Sequence, residues 1–372
     1  MRRGPSCGCG AFYGLPTAAE GRTMKIVVLA GGLSPEREVS LVTGTAVCKA
    51  LRRKGHQAVL VDLFLGLEDY DGSLEALFDA PDGRCGDAAI RTSEPDLDAV
   101  RRRRKYQSPG LIGKDVLNAC ALADLVFVGL HGESGEDGRI QATLDLLGIS
   151  YTGAGHLPSA MAMDKIVTKR MMDAAGIRTP KWRLVEYGEA DVAALAEELT
   201  LPCVVKTPGS GSSLGVYLPE TREELKAALR DVLRFDSQVI VEERIVGRDI
   251  FAAVLGERWL PPVEVISARG KFDYEAKYQS GAALELCPAN LTEDQQREIG
   301  EMALKLHQLL GLSVYSRADF VLDGDGVPWC LETNSLPGLT PASLMPKEAA
   351  AVGLTYDDLC EEIVQLSLRR KN

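Results

Sequence analysis

Short apolar runs alternate with longer amphipathic segments along the first third of the chain. The short runs predict buried strands, whereas apolar residues that recur every three or four positions predict helices. Strands are predicted at 26–30, 58–62, 125–129 and 149–152, with helices over 39–54 and 141–147. Because strands alternate with helices, we expect βαβ units, which form a parallel sheet with helices packed on it.

The order of elements changes from about residue 160 onward. We predict a helix over 161–175, strands at 203–206, 239–242, 251–255 and 263–266, and a last helix over 357–370. Two further helices begin at capping boxes, where Thr221 is followed by Glu224 and Thr292 by Gln295. This α+β order suggests two further lobes. We therefore predict an α/β domain at 24–153 followed by α+β lobes at 154–242 and 243–372.

Residues 1–23 show no hydrophobic periodicity. Arg2 and Arg3 are typical of the start of a signal peptide, but no apolar segment follows them. Met24 begins the first clear strand pattern. We therefore expect a disordered tail over 1–23 without a function of its own.

Composition narrows the class of protein. The 372 residues are enough for two or three domains with their own cores. A net charge of −11 argues against nucleic acids or anionic membranes as partners, and no apolar run approaches the ~18 residues of a membrane-spanning helix. The nine cysteines are scattered, and Cys48, Cys203 and Cys330 lie in apolar stretches, so we expect reduced thiols in a cytoplasmic protein.

A hairpin is predicted at 317–334, where two apolar runs flank an Asp-Gly pair. This pair is the strongest short-range hairpin signal. A two-residue turn at Asp325 and Gly326 would pair Gly324 with Val327. Placing the turn at the preceding Asp-Gly pair would scatter the polar side chains over both faces, which favours the first register.

In that register Asp319 lies opposite Glu332, and Arg317 opposite Asn334. Side chains alternate between the two faces of a strand, so all four point to the same side. Carboxylate and amide oxygens suit hard cations such as Mg²⁺, which share them with phosphates. An arginine beside them can neutralise a phosphate or a developing oxyanion. The alternative is a solvated strand face with a cross-strand ion pair.

A loop rich in glycine and hydroxyl groups occupies 206–215, directly after a predicted strand. Such a loop can place backbone N–H groups against phosphates, although it matches neither a Walker A loop nor a dinucleotide fingerprint. A flexible turn is the alternative. Lys165, Lys206 and Lys277 are candidate cations, and Glu242 at a strand end could accept from an adenine amino group. Each of the four is otherwise a typical surface residue.

Two polar segments follow strands of the first domain. Glu36 lies at a strand–turn–helix entry, where an acid could hold an ammonium group or simply begin the helix. His131 and Glu136 follow the strand at 125–129. Open α/β sheets bind ligands at the carboxyl ends of their parallel strands, so these two residues are candidates for a binding site.

With these motifs the chain resembles the D-alanine–D-alanine ligases of the ATP-grasp superfamily over residues 24–370. The matching motifs, in order, are GG-x-S-x-E-R-E-V-S, LHG-x-x-GEDG, M-D-K, V-K-x-x-x-x-GSS-x-G, Y-E-A-K-Y, R-x-D and E-x-N-x-x-P-G-x-T. Several motifs in one order are far more specific than any single one. The resemblance implies a three-lobed ATP-grasp fold with an N-terminal parallel-sheet (preATP-grasp) domain.

The resemblance also implies roles for individual residues. Those that match nucleotide-binding positions are Lys165, Lys206 and Lys277 for the phosphates, Glu242 for the adenine and Asp249 for the ribose. Asp249 departs from the family, which usually has a glutamate there. Those that match the ligands of two Mg²⁺ ions are Asp319, Glu332 and Asn334, with Mn²⁺ as an alternative metal.

Further matches concern the amino-acid substrates. Glu36 would hold the ammonium group of the first D-alanine, with His131 and Glu136 beside it. Residues that would close the site or stabilise the reacting groups are Ser212 and Tyr278 for closure, Arg317 and the backbone N–H of Gly338 for the oxyanion, and Ser343 for the carboxylate of the second substrate.

The implied reaction is stepwise. The carboxylate of one D-alanine attacks the γ-phosphoryl group of ATP, and the amine of a second D-alanine then displaces phosphate from the acylphosphate. The dipeptide would serve peptidoglycan precursor synthesis. The implied partners are D-alanine and ATP, without nucleic acid or membrane, in a cytoplasmic homodimer. Loops at 207–215 and 267–285 would exclude water from the acylphosphate.

Other functions remain as alternatives. A ligase of the same fold could join D-alanine to D-serine or D-lactate, but Tyr278 favours amine substrates. A non-catalytic nucleotide-binding regulator is expected to lack a metal ligand or the arginine, and all are present. A dinucleotide-dependent oxidoreductase would require the fingerprint that the 206–215 loop lacks.

Overall fold

A computed structural model of the protein describes residues 22–90, 95–209, 215–267 and 283–370. The α-helices are α1 Arg37–Arg53, α2 Leu97–Arg103, α3 Val116–Ala121, α4 Arg139–Leu146, α5 His156–Met163, α6 Lys165–Ala175, α7 Val192–Glu198, α8 Arg222–Val232, α9 Glu293–Leu309, α10 Leu344–Ala351 and α11 Tyr356–Arg369, and short 3₁₀ helices lie at Leu74–Asp79 and Glu189–Asp191. The strands are β1 Lys25–Ala30, β2 Gln57–Asp62, β3 Leu125–Val128, β4 Trp182–Glu186, β5 Cys203–Lys206, β6 Val216–Tyr217, β7 Gln238–Glu243, β8 Gly247–Leu255, β9 Arg258–Trp259, β10 Val263–Ser267, β11 Ala283–Leu286, β12 Tyr315–Asp323 and β13 Pro328–Asn334.

The first sheet is parallel, with the strand order β2-β1-β3. This confirms the βαβ prediction, and the apolar residues of β1 and β3 are buried as expected. The predicted fourth strand at 149–152 is much shorter than expected. It is reduced to one parallel bridge between Val126 and Tyr151, because Gly153, at φ +90°, turns the chain away immediately afterwards.

The second sheet is antiparallel, with the order β4-β7-β5-β6. Helices α7 and α8 cover one of its faces, and α8 begins at the predicted capping box between Thr221 and Glu224. The apolar stripe of α8, which includes Leu225 and Leu229, is buried against the strands. Together these contacts fix the position of β5 and β7, whose ends reach the site described below.

The third sheet has the order β11-β10-β8-β12-β13, with β9 paired to β8. Helix α9, capped by Thr292 and Gln295 as predicted, packs on this sheet. Helix α10 was not predicted from the sequence. Ser343 precedes it, and Pro346 lies in its first turn, where a missing backbone N–H costs no hydrogen bond.

The predicted helix over 161–175 is two helices, because the side chain of Asp164 accepts hydrogen bonds from the backbone N–H groups of Ile166 and Val167. These bonds cap a new helix. Asp164 itself has an extended backbone conformation. As a result, Lys165 is the first residue of α6 and lies at the edge of the site.

The last helix connects the two ends of the chain. Residues of α11 such as Leu359 and Ile363 share one hydrophobic core with β1 and α1. At the margin of this contact, His56 lies 2.8 Å from Glu361, and Arg53 forms two hydrogen bonds with Asp357. The first sheet is therefore held directly against the segment that carries the hairpin.

The prediction of reduced thiols holds for Cys203 and Cys330, which are buried and free. For Cys48 it is wrong, since Cys48 is bonded to Cys85 as a disulfide. This pair could not be predicted from the sequence, because Cys85 lies in an irregular segment whose return to β2 and α1 no local pattern indicates. No helix within the described ranges is long and apolar enough to cross a membrane.

Candidate active site

The β12–β13 hairpin brings its four predicted polar residues together. Arg317 pairs with Asn334, and Asp319 with Glu332, as predicted. Arg317 and Asp319 form two parallel hydrogen bonds, from Nε to Oδ1 at 2.7 Å and from Nη2 to Oδ2 at 2.8 Å. The amide nitrogen of Asn334 lies 3.4 Å from both carboxylate oxygens of Asp319. All four residues therefore share one face.

The predicted turn is wrong. The backbone N–H of Asp323 donates to Val327, and that of Gly326 donates back to Asp323, so three residues rather than two form the loop. Gly326 has φ +78°, the conformation that this loop type requires at its last position. A β-bulge at Leu331 compensates for the added loop residue.

Electrostatics favour a charged Arg317. Burial acts to lower the pKa of Arg317, but the carboxylates of Asp319 and Glu332 outweigh it and raise that pKa above its ordinary value. The guanidinium also lies over the ring of Phe251, 5.2 Å from its centroid. Arg317 is thus a fixed cation next to two carboxylates.

The hairpin face has the donor set that Mg²⁺ prefers. Asp319 and Glu332 supply carboxylate oxygens, and the amide nitrogen of Asn334 points to Asp319, which leaves its oxygen available. No group of three or more histidine, cysteine or acidic side chains suited to a metal occurs within the described ranges. Two carboxylates and an amide leave coordination positions for phosphate or water, so the residues fit a magnesium site shared with a phosphorylated ligand.

Two lysines, one from α6 and one from β5, border this face. Lys165, at the start of α6, has its Nζ 3.8 Å from Glu332. Lys206, at the end of β5, has its Nζ 2.8 Å from the Oε2 of Glu242 in β7. A lysine that the sequence did not single out, Lys169, lies 2.8 Å from the other oxygen of Glu242. The buried Glu242 carboxylate is thus enclosed by two ammonium groups.

The charges of this cluster depend on each other. Burial alone would raise the pKa of Glu242, but Lys206 and Lys169 lower it below its ordinary value. For Lys206, burial is outweighed by Glu242 and Glu332, and the pKa is raised. For Lys169, burial prevails over Glu242, and the pKa is lowered. Glu242 is therefore ionised, and it stabilises the charge of Lys206.

A cavity of about 1050 Å³ lies between the second and third sheets. Polar residues on its wall include Lys165, Lys206, Glu242, Asp249, Asp319 and Glu332. Apolar side chains, among them Val204, Val246, Phe251 and Leu331, form another part of the lining. This volume is at the upper end of the range for small-molecule sites. It combines a largely apolar recess with a cationic and acidic end, as a nucleotide requires.

The predicted residues that follow strands β1 and β3 meet on the other side of the hairpin. Glu136 accepts a hydrogen bond of 3.0 Å from the backbone N–H of Gly132, and Glu36 lies so close that a Cβ at Gly132 would be 2.6 Å from its Oε2. Burial raises the pKa of Glu136 well above its ordinary value, and the nearby Glu36 adds to this effect. A small cavity lined by Glu136, Lys165 and Glu332 joins this region to the hairpin.

His131 belongs to the same region. Its Nε2 lies 2.9 Å from the hydroxyl oxygen of Thr43. Burial, with a smaller contribution from Arg317, lowers the pKa of His131 to about 4. His131 is therefore a neutral hydrogen-bonding group at physiological pH and not a cation.

The loop after the hairpin brings Gly338 and Ser343 together. A Cβ at Gly338 would be 3.0 Å from the hydroxyl of Ser343, which is itself 2.8 Å from the hydroxyl of Thr340. The sequence missed Glu348 on α10. Its Oε1 accepts from the backbone N–H of Ala253, the residue paired with Arg317, and its buried Oε2 has no hydrogen-bond partner among the described residues.

Three predicted residues, Ser212, Lys277 and Tyr278, lie outside the described residues. The loops at 207–215 and 267–285 are described only at their ends. Of the other predicted residues, the large cavity is lined by Lys165, Lys206, Glu242, Asp249, Asp319 and Glu332, and the small one by Glu136, Lys165, Glu332 and Asn334.

Comparison with known proteins agrees with this geometry. The family model described as "D-ala D-ala ligase N-terminus" matches residues 25–154, and that described as "D-ala D-ala ligase C-terminus" matches residues 171–365. The chain is 41% identical over 347 residues to a D-alanine–D-alanine ligase of Pediococcus pentosaceus, covering 92% of this chain and 97% of that protein. It is 39% identical over 351 residues to one of Desulforudis audaxviator, covering 93% and 99%.

Solved structures agree with these sequence matches. A crystal structure of the D-alanine–D-alanine ligase from Bacillus anthracis has a TM-score of 0.67 and 29% identity, covering 93% of this chain and 98% of that one. The structure of that ligase complexed with ATP has the same score and identity, with coverage of 94% and 98%. The chain therefore belongs to the D-alanine–D-alanine ligase family.

Proposed function

We propose that this protein joins two D-alanine molecules into D-alanyl-D-alanine at the expense of ATP. One observation carries this proposal: the acidic hairpin face of Asp319 and Glu332 borders a nucleotide-sized cavity on one side and the Glu36–Glu136 pocket on the other. A phosphate donor and an amino acid can therefore approach the same face.

In the first step, the carboxylate of one D-alanine attacks the γ-phosphorus of ATP. The bond between the γ-phosphorus and the β,γ-bridging oxygen breaks. ADP leaves, and an aminoacyl phosphate is formed. Lys165 and Lys206 neutralise phosphate oxygens from the cavity wall, and Lys277 is proposed to do the same. Asp319, Glu332 and Asn334 would hold two Mg²⁺ ions, or Mn²⁺, whose charge offsets that of the phosphates.

In the second step, the amine of another D-alanine attacks the acyl carbon, and phosphate leaves. The oxyanion that forms accepts hydrogen bonds from Arg317 and from the backbone N–H of Gly338. Ser343 receives the carboxylate of the second D-alanine. Arg317 is held in place by its hydrogen bonds to Asp319, and Ser343 by its contact with Thr340. These two side chains therefore need to move little during the reaction.

Glu36 holds the ammonium group of the first D-alanine, and Glu136 and the neutral His131 shape the same pocket. An ammonium group next to Glu36 and Glu136 would relieve the repulsion between the two carboxyl groups. Ser212 and Tyr278 are proposed to complete the enclosure. At the nucleotide, Glu242 lies on the adenine side and Asp249 on the ribose side.

The wider setting is also part of the proposal. We assign the dipeptide to peptidoglycan precursor synthesis and the enzyme to the cytoplasm, as a homodimer. The proposed division of the chain is a tail at 1–23 and domains at 24–153, 154–242 and 243–372. In support of it, β1 to β3 fall in the first domain and β8 to β13 in the last.

The experiment combines product analysis with an isotope label. The enzyme is incubated with ATP, Mg²⁺ and D-alanine whose carboxylate oxygens are ¹⁸O, and the products are measured by mass spectrometry. The proposal predicts D-alanyl-D-alanine, ADP, and one ¹⁸O in the released phosphate, because the attacking carboxylate oxygen leaves with phosphorus. Parallel reactions with D-serine or D-lactate as the second substrate test the alternatives. Absence of dipeptide, or phosphate without ¹⁸O, would contradict the proposal.

A further inference from the structure

Lys169 is a buried lysine that the proposed reaction does not use directly. It lies one turn after Lys165 on α6, and its side chain is only 2% exposed. Its Nζ is 2.8 Å from Oε1 of Glu242 and donates a hydrogen bond of 2.6 Å to the hydroxyl of Thr179. Of the described lysines, those that line the cavity are Lys165 and Lys206, so Lys169 lies behind Glu242.

Lys169 changes the net charge of the cluster that it forms with Glu242 and Lys206. Glu242 contacts Lys206 with one oxygen and Lys169 with the other, both at 2.8 Å. Two ammonium groups and one carboxylate leave a net charge of about +1, whereas Glu242 and Lys206 alone would cancel. A neutral pair at the cavity wall would attract a polyphosphate only weakly, and burial makes the difference larger because water screens it less.

We propose that Lys169 is a positioning residue that offsets the negative charge of Glu242 from behind, so that Glu242 does not cancel the positive charge that Lys206 presents to the phosphates of the nucleotide. The inference rests on the proposed function, because it takes ATP as the ligand of the cavity. Lys169 itself does not touch the nucleotide. It acts on the part of the affinity that phosphates supply, and not on the part supplied by adenosine.

The test compares ATP with adenosine. Dissociation constants for both are measured by calorimetry in the wild-type protein and in three variants, Lys169→Met, Lys169→Arg and Lys169→Met/Glu242→Gln. The readout is the ratio of the adenosine constant to the ATP constant. It isolates the contribution of the phosphates from any disturbance at the adenine side.

We expect Lys169→Met to lower this ratio by about tenfold or more, the range for losing an interaction with a charged group. Lys169→Arg should preserve most of the ratio, and the double variant should restore it because Glu242 no longer cancels Lys206. The KM for ATP should rise in Lys169→Met, while the KM for D-alanine stays unchanged.

Several outcomes would overturn the inference. One is an unchanged ratio in Lys169→Met, with ATP and adenosine weakened equally, which indicates a purely structural role. Another is a lowered ratio that the double variant does not restore. If Lys169→Met does not fold, Glu242→Gln tests the same balance, since the ratio should then rise above that of the wild type, and no rise rejects the inference. A wild-type ratio near one would reject both this inference and ATP as the ligand.

Discussion

Asp319 lies directly opposite Glu332 across the β12–β13 hairpin, although the two strands are out of the predicted register by one residue at the turn. The added loop residue and the bulge at Leu331 offset each other, so the pair is preserved. The bulge also turns two consecutive residues, Leu331 and Glu332, toward the cavity. An apolar contact and a metal ligand thus come from adjacent positions of one strand.

The first prediction concerns Arg317. Lysine keeps the charge but not the planar pair of donors that Arg317 directs at Asp319. We expect Arg317→Lys to lower kcat by about 10²- to 10³-fold, as for the loss of an oxyanion donor, with the KM for ATP nearly unchanged. Steady-state kinetics separate the two effects. A variant that loses ATP affinity but keeps kcat would place Arg317 at the nucleotide instead of the oxyanion.

The second prediction concerns pH and Glu348. Burial raises the pKa of Glu348 well above its ordinary value, with a further contribution from Asp319, so the folded protein binds this proton more tightly than the unfolded chain. The contribution of Glu348 to the free energy of unfolding is therefore fully present when the pH is below the pKa of this group in the unfolded chain. It is lost as the pH rises toward the pKa in the folded protein, by at most ~1.4 kcal/mol per pH unit.

Glu348→Gln removes this dependence, because the amide cannot ionise and its oxygen can still accept from Ala253. We expect the Tm of the variant relative to the wild type to increase between about pH 5.5 and about pH 7.5. Other groups, including His131, titrate in both proteins and cancel in the comparison. A Tm difference that does not change with pH would show that Glu348 is already ionised across this range.

The third prediction concerns the tail. Residues 1–23 have no pattern able to pack against a core, so a protein that starts at Met24 should keep its activity and Tm. Kinetics and thermal unfolding of the two chains, measured side by side, check this. A clear loss of either property would mean that the tail docks on the enzyme.

The fourth prediction concerns the choice of the second substrate. In the proposed site, Tyr278 and Ser212 would form a hydroxyl network with Glu36 that accommodates an amine, whereas a cationic group there would favour a hydroxy acid. We expect dipeptide at neutral to alkaline pH and little D-alanyl-D-lactate, and Tyr278→Phe should slow the reaction without abolishing it. Mass spectrometry of products over this pH range decides the matter. Efficient depsipeptide formation at neutral pH by the unmutated enzyme would transfer the substrate assignment to D-lactate.

The hairpin face was predictable from the sequence, because side chains two residues apart on a strand lie on the same face. The added loop residue and the bulge shift the register in opposite directions, so the predicted pairs are preserved. The bulge at Leu331 was not predictable, since nothing in the local composition marks a single unpaired residue. Asp164 lies within an uninterrupted helical pattern, and its capping role emerges only when its side chain turns back to Ile166 and Val167.

Tertiary contacts account for the functional residues that the sequence missed. Lys169 is typical of an exposed helix position, and only the tertiary fold buries it beside Glu242 of β7. Glu348 lies in a helix that was not predicted from the sequence, and its hydrogen-bond donor is Ala253 on a distant strand. Sequence motifs identify candidate ligand-binding residues, whereas the charged residues packed behind them become visible only in the tertiary structure.

The central claim is that the hairpin face is the metal site of an ATP-dependent ligase. Its most direct test is to measure dipeptide formation as a function of Mg²⁺ concentration for Glu332→Gln and for a control, Asp325→Asn. The control also removes one negative charge, but from the exposed turn of the same hairpin. Both variants should keep the wild-type Tm. We predict that Glu332→Gln abolishes dipeptide formation at limiting Mg²⁺ while Asp325→Asn retains it. Near-normal turnover of Glu332→Gln at limiting Mg²⁺ would contradict the claim.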